Sequence, residues 1–383
     1  MKILLIEDTD KKRRAIISYL TSKGVYEADI LVAKTMTDFA AHLNANIGLF
    51  IIDFNLPSLD NGKASQNGKA ILEAIIKTGK QDALLLAISS YPGDFPALRE
   101  YYEAHGCILA DFQNKKGWQG TLDHLLVQLK KSTKLDFVFF CALQEERNPY
   151  VVLVSDGRQT IRAGIDCFDM SLGSYKGTVV LLPQMGLVNA SVTAALCIDR
   201  FKPDLVGMSG ICGGFSKRAE LGQLFVSAMV YEYQSGKWVS DGFLHEPYQV
   251  PTDHLTLTEL NRLVNETGLI AQLEMGFTGT RPQNQQQPKV GIFTSGSAVI
   301  ADKAIMSHVE MIHRKVNALD MEVYGIHRAA ELVPHKPVCI SAKTVVDLGD
   351  KAKGDNIHGY GSYISAQFLL RAGREFLDRA GSK

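Results

Sequence analysis

The chain has 383 residues, with 41 acidic and 41 basic side chains and a formal net charge of zero. That length exceeds one ordinary core and predicts two domains, and the balanced charge lacks the basic excess of a nucleic-acid-binding output domain. The six cysteines form no CxxC pair and no zinc spacing, no apolar run is long enough to cross a bilayer, and MKILLIEDTDKKRR reads as a strand, not a signal peptide. The expectation is a soluble cytoplasmic protein with reduced thiols and no nucleic-acid or membrane partner.

In residues 1–133, apolar runs at Lys2 to Ile6, Asp29 to Ala33, Leu49 to Asp53, Ala83 to Ser89 and Cys107 to Phe112 alternate with amphipathic stretches. This alternation predicts an α/β domain with a doubly wound, flavodoxin-like parallel sheet. Glu7 and Asp8 end the first run, Asp53 the third and Ser89 the fourth, and Lys115 follows the fifth. All five are expected at the C-terminal edge of the sheet. There, three carboxylates can hold Mg²⁺ and leave one able to attack a phosphoryl donor. Ser89 would hydrogen-bond the new phosphoryl group and Lys115 would pair with its charge.

A lone acid at a strand end is common; five such positions in order carry the reading. The segment resembles the receiver domain of two-component response regulators, with LFIIDFNLP around Asp53 and Phe112 three residues before Lys115. The resemblance implies phosphorylation of Asp53, Mg²⁺ held by Glu7, Asp8 and Asp53, and a sensor histidine kinase as phosphoryl donor. Two departures stand out: the loop Ser58 to Asn67 is long, and Lys116 replaces the usual proline.

The second domain is placed at residues 134–383. Strands are expected at Asp136 to Leu143, Tyr150 to Ser155, Val179 to Pro183, Leu205 to Gly210, Leu224 to Val230, Lys289 to Thr294 and Val338 to Val346. Helices are expected at Leu187 to Arg200, Leu257 to Thr267, Ala301 to His313, Val323 to Leu332 and Tyr360 to Leu377. The β-branched run VCISAKTVVD stops at Asp347, which places that carboxyl at a strand's C-terminal end, where ligands bind in open α/β sheets. Partial shielding there can keep a carboxyl protonated near neutrality, as a general acid requires. The bland reading is a helix cap or a turn residue.

Four more segments line up with Asp347: CALQEE with Glu145 and Glu146, SGICGG with Gly210 and Gly213, SGSAV with Ser295 and Val299, and LDMEV with Met321 and Glu322. In order and spacing they resemble the motifs of the nucleoside phosphorylase and nucleosidase superfamily, including its methylthioadenosine/S-adenosylhomocysteine nucleosidase branch. The resemblance implies a phosphorylase-like α/β domain with a mixed sheet. It gives Asp347 as general acid to the purine, Glu322 as partner of the ribose hydroxyls and of the sugar cation, and Glu146 as the base that activates water, with Glu145 if the register slips by one. Gly210, Gly213, Ser295, Val299, Met321 and Lys343 are expected to bind substrate, and the chemistry needs no cofactor.

Taken singly, Glu322 would be a favourable first-turn charge and Glu146 a solvated acid; motif order outweighs both. Ile211 stands where a phosphate-binding serine would serve phosphorolysis, so hydrolysis is expected. At Val299 the usual purine-stacking aromatic is absent, leaving Phe293 or Phe277 as substitutes. Arg281, Lys303, Lys343, Lys351 and Lys353 offer positive charge for a phosphate chain.

Receiver plus nucleosidase in this order resembles effectors of phage-defence two-component systems that cleave ATP to adenine and ribose 5′-triphosphate. The expected partners are thus a purine nucleotide, ATP favoured, a histidine kinase and a second copy of the chain, as dimer or hexamer. Two alternatives stay open: a methylthioadenosine/S-adenosylhomocysteine or AMP nucleosidase regulated by the receiver, and a non-catalytic nucleotide sensor.

Overall fold

The computed structural model describes residues 2–45, 47–59, 64–80, 83–90, 93, 95–162, 164–349 and 357–381. They form two compact units, Met1–Thr133 and Lys134–Lys383.

The first unit has strands β1 (Lys2–Ile6), β2 (Ile30–Ala33), β3 (Ile47–Ile52), β4 (Asn55–Pro57), β5 (Ala64–Gln66), β6 (Leu84–Ser89) and β7 (Ile108–Asp111), with helices α1 (Asp10–Ser22), α2 (Met36–His42), α3 (Gly68–Lys77), α4 (Phe95–Glu103) and α5 (Lys115–Thr133). β4 and β5 pair as a small ribbon; the other strands form one sheet in the order β2-β1-β3-β6-β7, every pair parallel. Strand side chains alternate between faces. Leu4, Ile6, Phe50 and Ile52 pack with Ile71, Leu72 and Ile75 of α3, while Ile3, Leu5, Leu49 and Ile51 pack with Ile16 and Leu20 of α1 and Leu122 and Leu126 of α5. Burial on both faces is why these strands read as unbroken apolar runs.

The second unit has strands β8 (Phe137–Cys141), β9 (Arg158–Arg162), β10 (Ile165–Leu172), β11 (Tyr175–Leu181), β12 (Leu205–Gly214), β13 (Leu224–Glu232), β14 (Gly236–Val239), β15 (Gly242–His245), β16 (Gln249–Pro251), β17 (Lys289–Ser295), β18 (Val316–Asp320) and β19 (Val338–Asp347). Its helices are α6 (Gln144–Leu153), α7 (Leu187–Phe201), α8 (His254–Val264), α9 (Leu269–Leu273), α10 (Lys303–Ile312), α11 (Val323–Leu332) and α12 (His358–Gly381). The large sheet is mixed. Strands β12, β18, β17, β13 and β19 close a circuit, β8, β11, β10 and β9 extend from β12, and β16 adds to β13. Helices α7 and α11 supply Ala190, Ala194, Ile326 and Ala330 to one core, and α12 supplies Tyr360, Ile364 and Phe368 to the other.

Tyr150 to Ser155, expected as a strand, instead lies largely in α6, which ends at Leu153. Its valines are not sheet residues: Val151 is 51% and Val152 82% exposed, and only Tyr150 is fully buried. Strands β9 and β18 escaped the sequence reading because RQTIR is polar and half-exposed and VNALD is a five-residue run interrupted by Asn317.

His327 of α11 is buried, with Nε2 3.0 Å from Ser341 Oγ and 3.3 Å from Ser227 Oγ. Burial disfavours its charged form and pushes its pKa down to about 4. The unfolded chain takes up this proton below the usual value of about 6.5, so the stabilisation is complete above pH 6.5 and is lost as pH falls towards 4. Wild type is expected to lose up to about 3 kcal/mol across that window, since each tenfold change in proton affinity is worth about 1.4 kcal/mol. His327→Gln should lose less; equal losses in denaturant titrations at pH 7 and pH 4.5 would refute this assignment.

Candidate active site

A cavity of about 190 Å³ opens where β8, β12, β18 and β19 end. Glu146, Ile211, Gly213, Val299, Met321, Glu322, Lys343, Asp347 and His358 are among its lining residues. The fold brings together positions up to 216 residues apart, Ala142 and His358, which no local pattern links.

Glu146 lies in the first turn of α6 and is 1% exposed. Its Oε2 accepts from the Ala142 and Leu143 amides at 2.7 and 3.0 Å, and its Oε1 from the Ile211 amide at 2.9 Å. A carboxylate offers about four acceptor positions, so three backbone donors fix the group and leave about one position for a water. Glu145, the residue that a one-place slip would have substituted, is exposed and pairs with His358 Nδ1 at 3.1 Å.

Gly210 makes this arrangement possible. Its φ is 151°, and a Cβ there would lie 1.9 Å from Glu146 Oε1. Gly210→Ala is therefore expected to push the carboxylate off its amides and to lower turnover on the order of 100-fold, the penalty of misplacing a reacting group by about 1 Å. Steady-state kinetics together with a thermal melt check this; wild-type turnover in a folded variant would sink it.

Lys343 sits at the centre of the cluster, 1% exposed. Its Nζ lies 3.2 Å from Asp320 Oδ2, 3.3 Å from Glu322 Oε2 and 3.9 Å from Glu146 Oε1. Burial opposes its charge, but Glu146, Asp320 and Glu322 together override that and hold its pKa above the usual lysine value. Glu322 is held above the usual carboxylate range, by burial first and by Asp320 and Glu146 in addition, with Lys343 pulling the other way. Its Oε1 also accepts from the Gly186 amide at 2.9 Å.

Asp347 ends β19 half-buried, with Oδ1 accepting from the Gly349 amide at 2.9 Å. A register shift between Cys212 and Gly213 sets Gly213 opposite Asp347, and a Cβ on Gly213 would come 3.4 Å from Asp347 Oδ1.

Not every expected contact lines the cavity. Ser295 is fully buried behind it, donating to Asp320 Oδ1 at 2.6 Å and accepting from the Tyr324 amide at 3.0 Å, so it fixes Asp320. Gly210 likewise acts through Glu146. Val299 and Met321 do line the cavity, but Phe293 lies in a core cluster and Phe277 packs on Tyr360 and Tyr363. Neither supplies the expected stacking ring, since core packing claims both.

The expected phosphate-binding cations are dispersed too. Lys343 is committed to carboxylates, Arg281 hydrogen-bonds the Phe277 carbonyl, Lys303 starts α10 outside the lining, and Lys351 and Lys353 lie outside the described residues. Sequence reasoning missed Asp320 and His358 as cavity residues; the only signal for Asp320 was its place two residues before Glu322.

In the first unit, side-chain oxygens of Glu7, Asp8 and Asp53 lie within 4.8 Å of one another at the C-terminal edge of the sheet. This all-oxygen set fits the donor preference of Mg²⁺. Glu7 is 1% and Asp53 8% exposed, and burial raises the pKa of both against the opposing charge of Lys12. Ser89 is fully buried at the end of β6. Lys115 follows β7, which ends at Asp111, after a turn that carries it to the start of α5, where it is exposed. The ammonium beside Asp53 belongs to Lys12, at 3.0 Å from Asp53 Oδ1 and 2.7 Å from Glu7 Oε2.

All six cysteines are free thiols, five of them buried and Cys339 half-buried. Among the described residues, no helix is long and apolar enough to cross a membrane.

Residues 136–373 match the phosphorylase superfamily. The uncharacterized protein y4jS of Sinorhizobium fredii is 30% identical over 414 aligned positions, spanning 99% of this chain and 100% of that protein. ATP nucleosidase Cap17 of Escherichia coli is 29% identical over 214 positions, covering 51% of this chain and 40% of that protein. The fold matches the crystal structure of 5′-methylthioadenosine/S-adenosylhomocysteine nucleosidase from Neisseria meningitidis, with a TM-score of 0.51 and 16% identity over 63% of this chain and 100% of that one. Its relatives of known activity, an ATP nucleosidase and a 5′-methylthioadenosine/S-adenosylhomocysteine nucleosidase of matching fold, are N-glycosyl hydrolases, and the chain is an N-glycosyl hydrolase that belongs to the phosphorylase superfamily.

Proposed function

We propose that the chain is a hydrolase of purine nucleotide N-glycosidic bonds, with ATP as substrate and adenine and ribose 5′-triphosphate as products, and that phosphorylation of Asp53 controls it. The observation that carries the chemistry is the convergence of Asp347, Glu322 and Glu146 on one cavity.

The reaction passes through a ribosyl cation, so charge must be supplied to the sugar and a proton to the base. Asp347, in the cavity lining, donates a proton to purine N7 as the bond from C1′ to N9 breaks and its electron pair moves into the base. Glu322 accepts hydrogen bonds from the ribose hydroxyls, and its charge faces the developing cation. Glu146, with one acceptor position left, orients a water and takes its proton as the water oxygen bonds to C1′. Lys343 holds Glu146 and Glu322 in register by their shared attraction.

Hydrolysis is favoured over phosphorolysis on electrostatic grounds. Among the described residues, four acids, Glu146, Asp320, Glu322 and Asp347, face the cavity against one lysine, and such a field repels inorganic phosphate while accepting water.

The likeness to Cap17 supports ATP, and the triphosphate then extends away from this acidic ring. A second reading has its own observation. The lining is apolar at Met185, Ile211, Val299 and Ile300, which suits a methylthio group and a 5′-methylthioadenosine/S-adenosylhomocysteine nucleosidase activity.

In the first unit, Glu7, Asp8 and Asp53 would hold Mg²⁺, which would neutralise charge around the acceptor. A sensor histidine kinase supplies the phosphoryl group, and the response is assembly of a homo-oligomer that serves in antiviral defence. Exposed Val188, Val192 and Leu196, one helical turn apart on α7, offer an apolar face for that assembly.

The test follows free adenine by chromatography after incubation with ATP, AMP, adenosine and methylthioadenosine, each with and without a small phosphoryl donor and Mg²⁺. Donor-dependent adenine from ATP supports the proposal. Donor-independent adenine from methylthioadenosine alone replaces it with the second reading. No adenine from any of them leaves a nucleotide sensor.

A further inference from the structure

We infer that Lys12, delivered from α1, is the charge-pairing lysine of the Asp53 pocket, and that its ammonium follows the phosphoryl group when Asp53 is modified. The inference rests on the phosphoacceptor reading above and assigns a residue that the sequence pattern did not single out.

Lys12 is 3% exposed, and an ammonium has three donors. All three are used: Glu7 Oε2 at 2.7 Å, Asp53 Oδ1 at 3.0 Å and the Ile88 carbonyl at 2.6 Å. The same ammonium lies 5.9 Å from the centre of the Phe112 ring. Lys12 is thus held from β1, β3, β6 and the turn after β7, the elements whose ends form the pocket. Its stem starts in the first turn of α1, beside exposed charge at Asp10, Lys11 and Arg14 and the partly buried Arg13, which hydrogen-bonds the Asp8 carbonyl. A lysine buried there without a task would be costly, because a desolvated charge is tolerated only when paired.

The charge inventory explains the arrangement. Glu7, Asp8 and Asp53 carry three negative charges when ionised, and Lys12 with one divalent cation balances them. When an Asp53 oxygen attacks the phosphorus of a small phosphoryl donor, a new P–O bond forms and the bond from phosphorus to the leaving group breaks. The leaving group departs with that electron pair. The Asp53 side chain then carries a phosphoryl dianion where one carboxylate charge stood, and the nearest mobile cation is Lys12. Its contact with Ile88 joins this event to the end of β6, next to Ser89, and its stem joins it to α1.

The experiment compares full-length wild type, Lys12→Gln, Lys115→Gln and Asp53→Ala, labelled with acetyl phosphate and Mg²⁺, with phosphoprotein stoichiometry read by intact mass and Mg²⁺ affinity read by Trp118 fluorescence. Lys12→Gln is expected to lower phosphoprotein yield on the order of tenfold and, having lost a competing positive charge, to bind Mg²⁺ on the order of tenfold more tightly. A purely structural role would weaken both. Lys115→Gln should match wild type in both readouts.

Normal yield in Lys12→Gln, or loss of yield in Lys115→Gln alone, overturns the inference. Absence of label from wild type overturns the phosphoacceptor reading itself. Should Lys12→Gln fail to fold, the charge-balanced double variant Glu7→Gln, Lys12→Gln replaces it in the labelling arm, where wild-type yield again overturns the inference.

Discussion

Asp347→Asn is expected to lower the turnover number for adenine release about 1,000-fold, within the range of about 10² to 10⁴ that a positioned general acid contributes. The amide keeps an oxygen in place of Oδ1 and so keeps the bond from the Gly349 amide, which means the end of β19 and its approach to Gly213 are preserved. What is lost is the acidic proton. Because a transition-state interaction disappears and ground-state contacts stay, KM should remain within about threefold of wild type. Single-turnover kinetics with purified enzyme measure this directly. A variant retaining more than about a tenth of wild-type turnover would move the proton donor elsewhere, with His358 of the same cavity as the next candidate.

Lys343→Met should cost stability as well as activity. It removes the counter-charge of three buried carboxylates, Glu146, Asp320 and Glu322, and keeps a side chain of similar length. Breaking a buried ion pair by deleting one partner costs about 3–5 kcal/mol, because the charge left behind is desolvated and unpaired. The sign with pH follows. Without the ammonium, Glu322, already held above the usual carboxylate range by burial, binds its proton still more readily in the folded than in the unfolded state, so the deficit is greatest above its folded pKa and shrinks as pH falls through it. Denaturant unfolding at pH 8 and pH 5.5 checks both parts, and the double variant Lys343→Met, Glu322→Gln should recover a fraction of the loss. An unchanged midpoint at pH 8 would show that the cluster carries less charge than its geometry implies.

Glu7, Asp8, Asp53 and Asp347 were legible because each ends or follows a strongly apolar strand: Glu7 and Asp8 after KILLI, Asp53 after GLFII, Asp347 after the run from Val338; Glu146 and Glu322 were legible through motif order alone. Fully buried parallel strands leave that signature, and their C-terminal ends are where such sheets keep polar groups. What stayed illegible were residues whose meaning lies in a partner. Lys12 sits in KKRR, a run of four like charges with no pattern to single one out, and only the approach of Glu7, Asp53 and the Ile88 carbonyl picks it out. Lys343, named as a phosphate ligand, became the hub of a carboxylate cluster because β19 runs between β12 and β13, pointing it at Glu322 and Asp320. The VVLV run failed for the opposite reason. Its β-branched residues suit a strand, but Glu146 bonds the amides that open α6 and the helix continues through them.

The sequence by itself determined the α/β alternation of the first unit, the long buried strand ending at Asp347 and the order of the acid-bearing motifs, because periodicity and apolar runs are local properties written along the chain. Only the tertiary structure decided that Glu146 and not Glu145 turns inward, that Gly210 leaves room for it, that Ser295 supports Asp320 behind the cavity, and that Lys12 stands beside Asp53 where Lys115 had been expected. Those are questions of which donor meets which acceptor across distant segments. A buried charge is settled by the partners that packing brings to it, and packing is set by the whole chain.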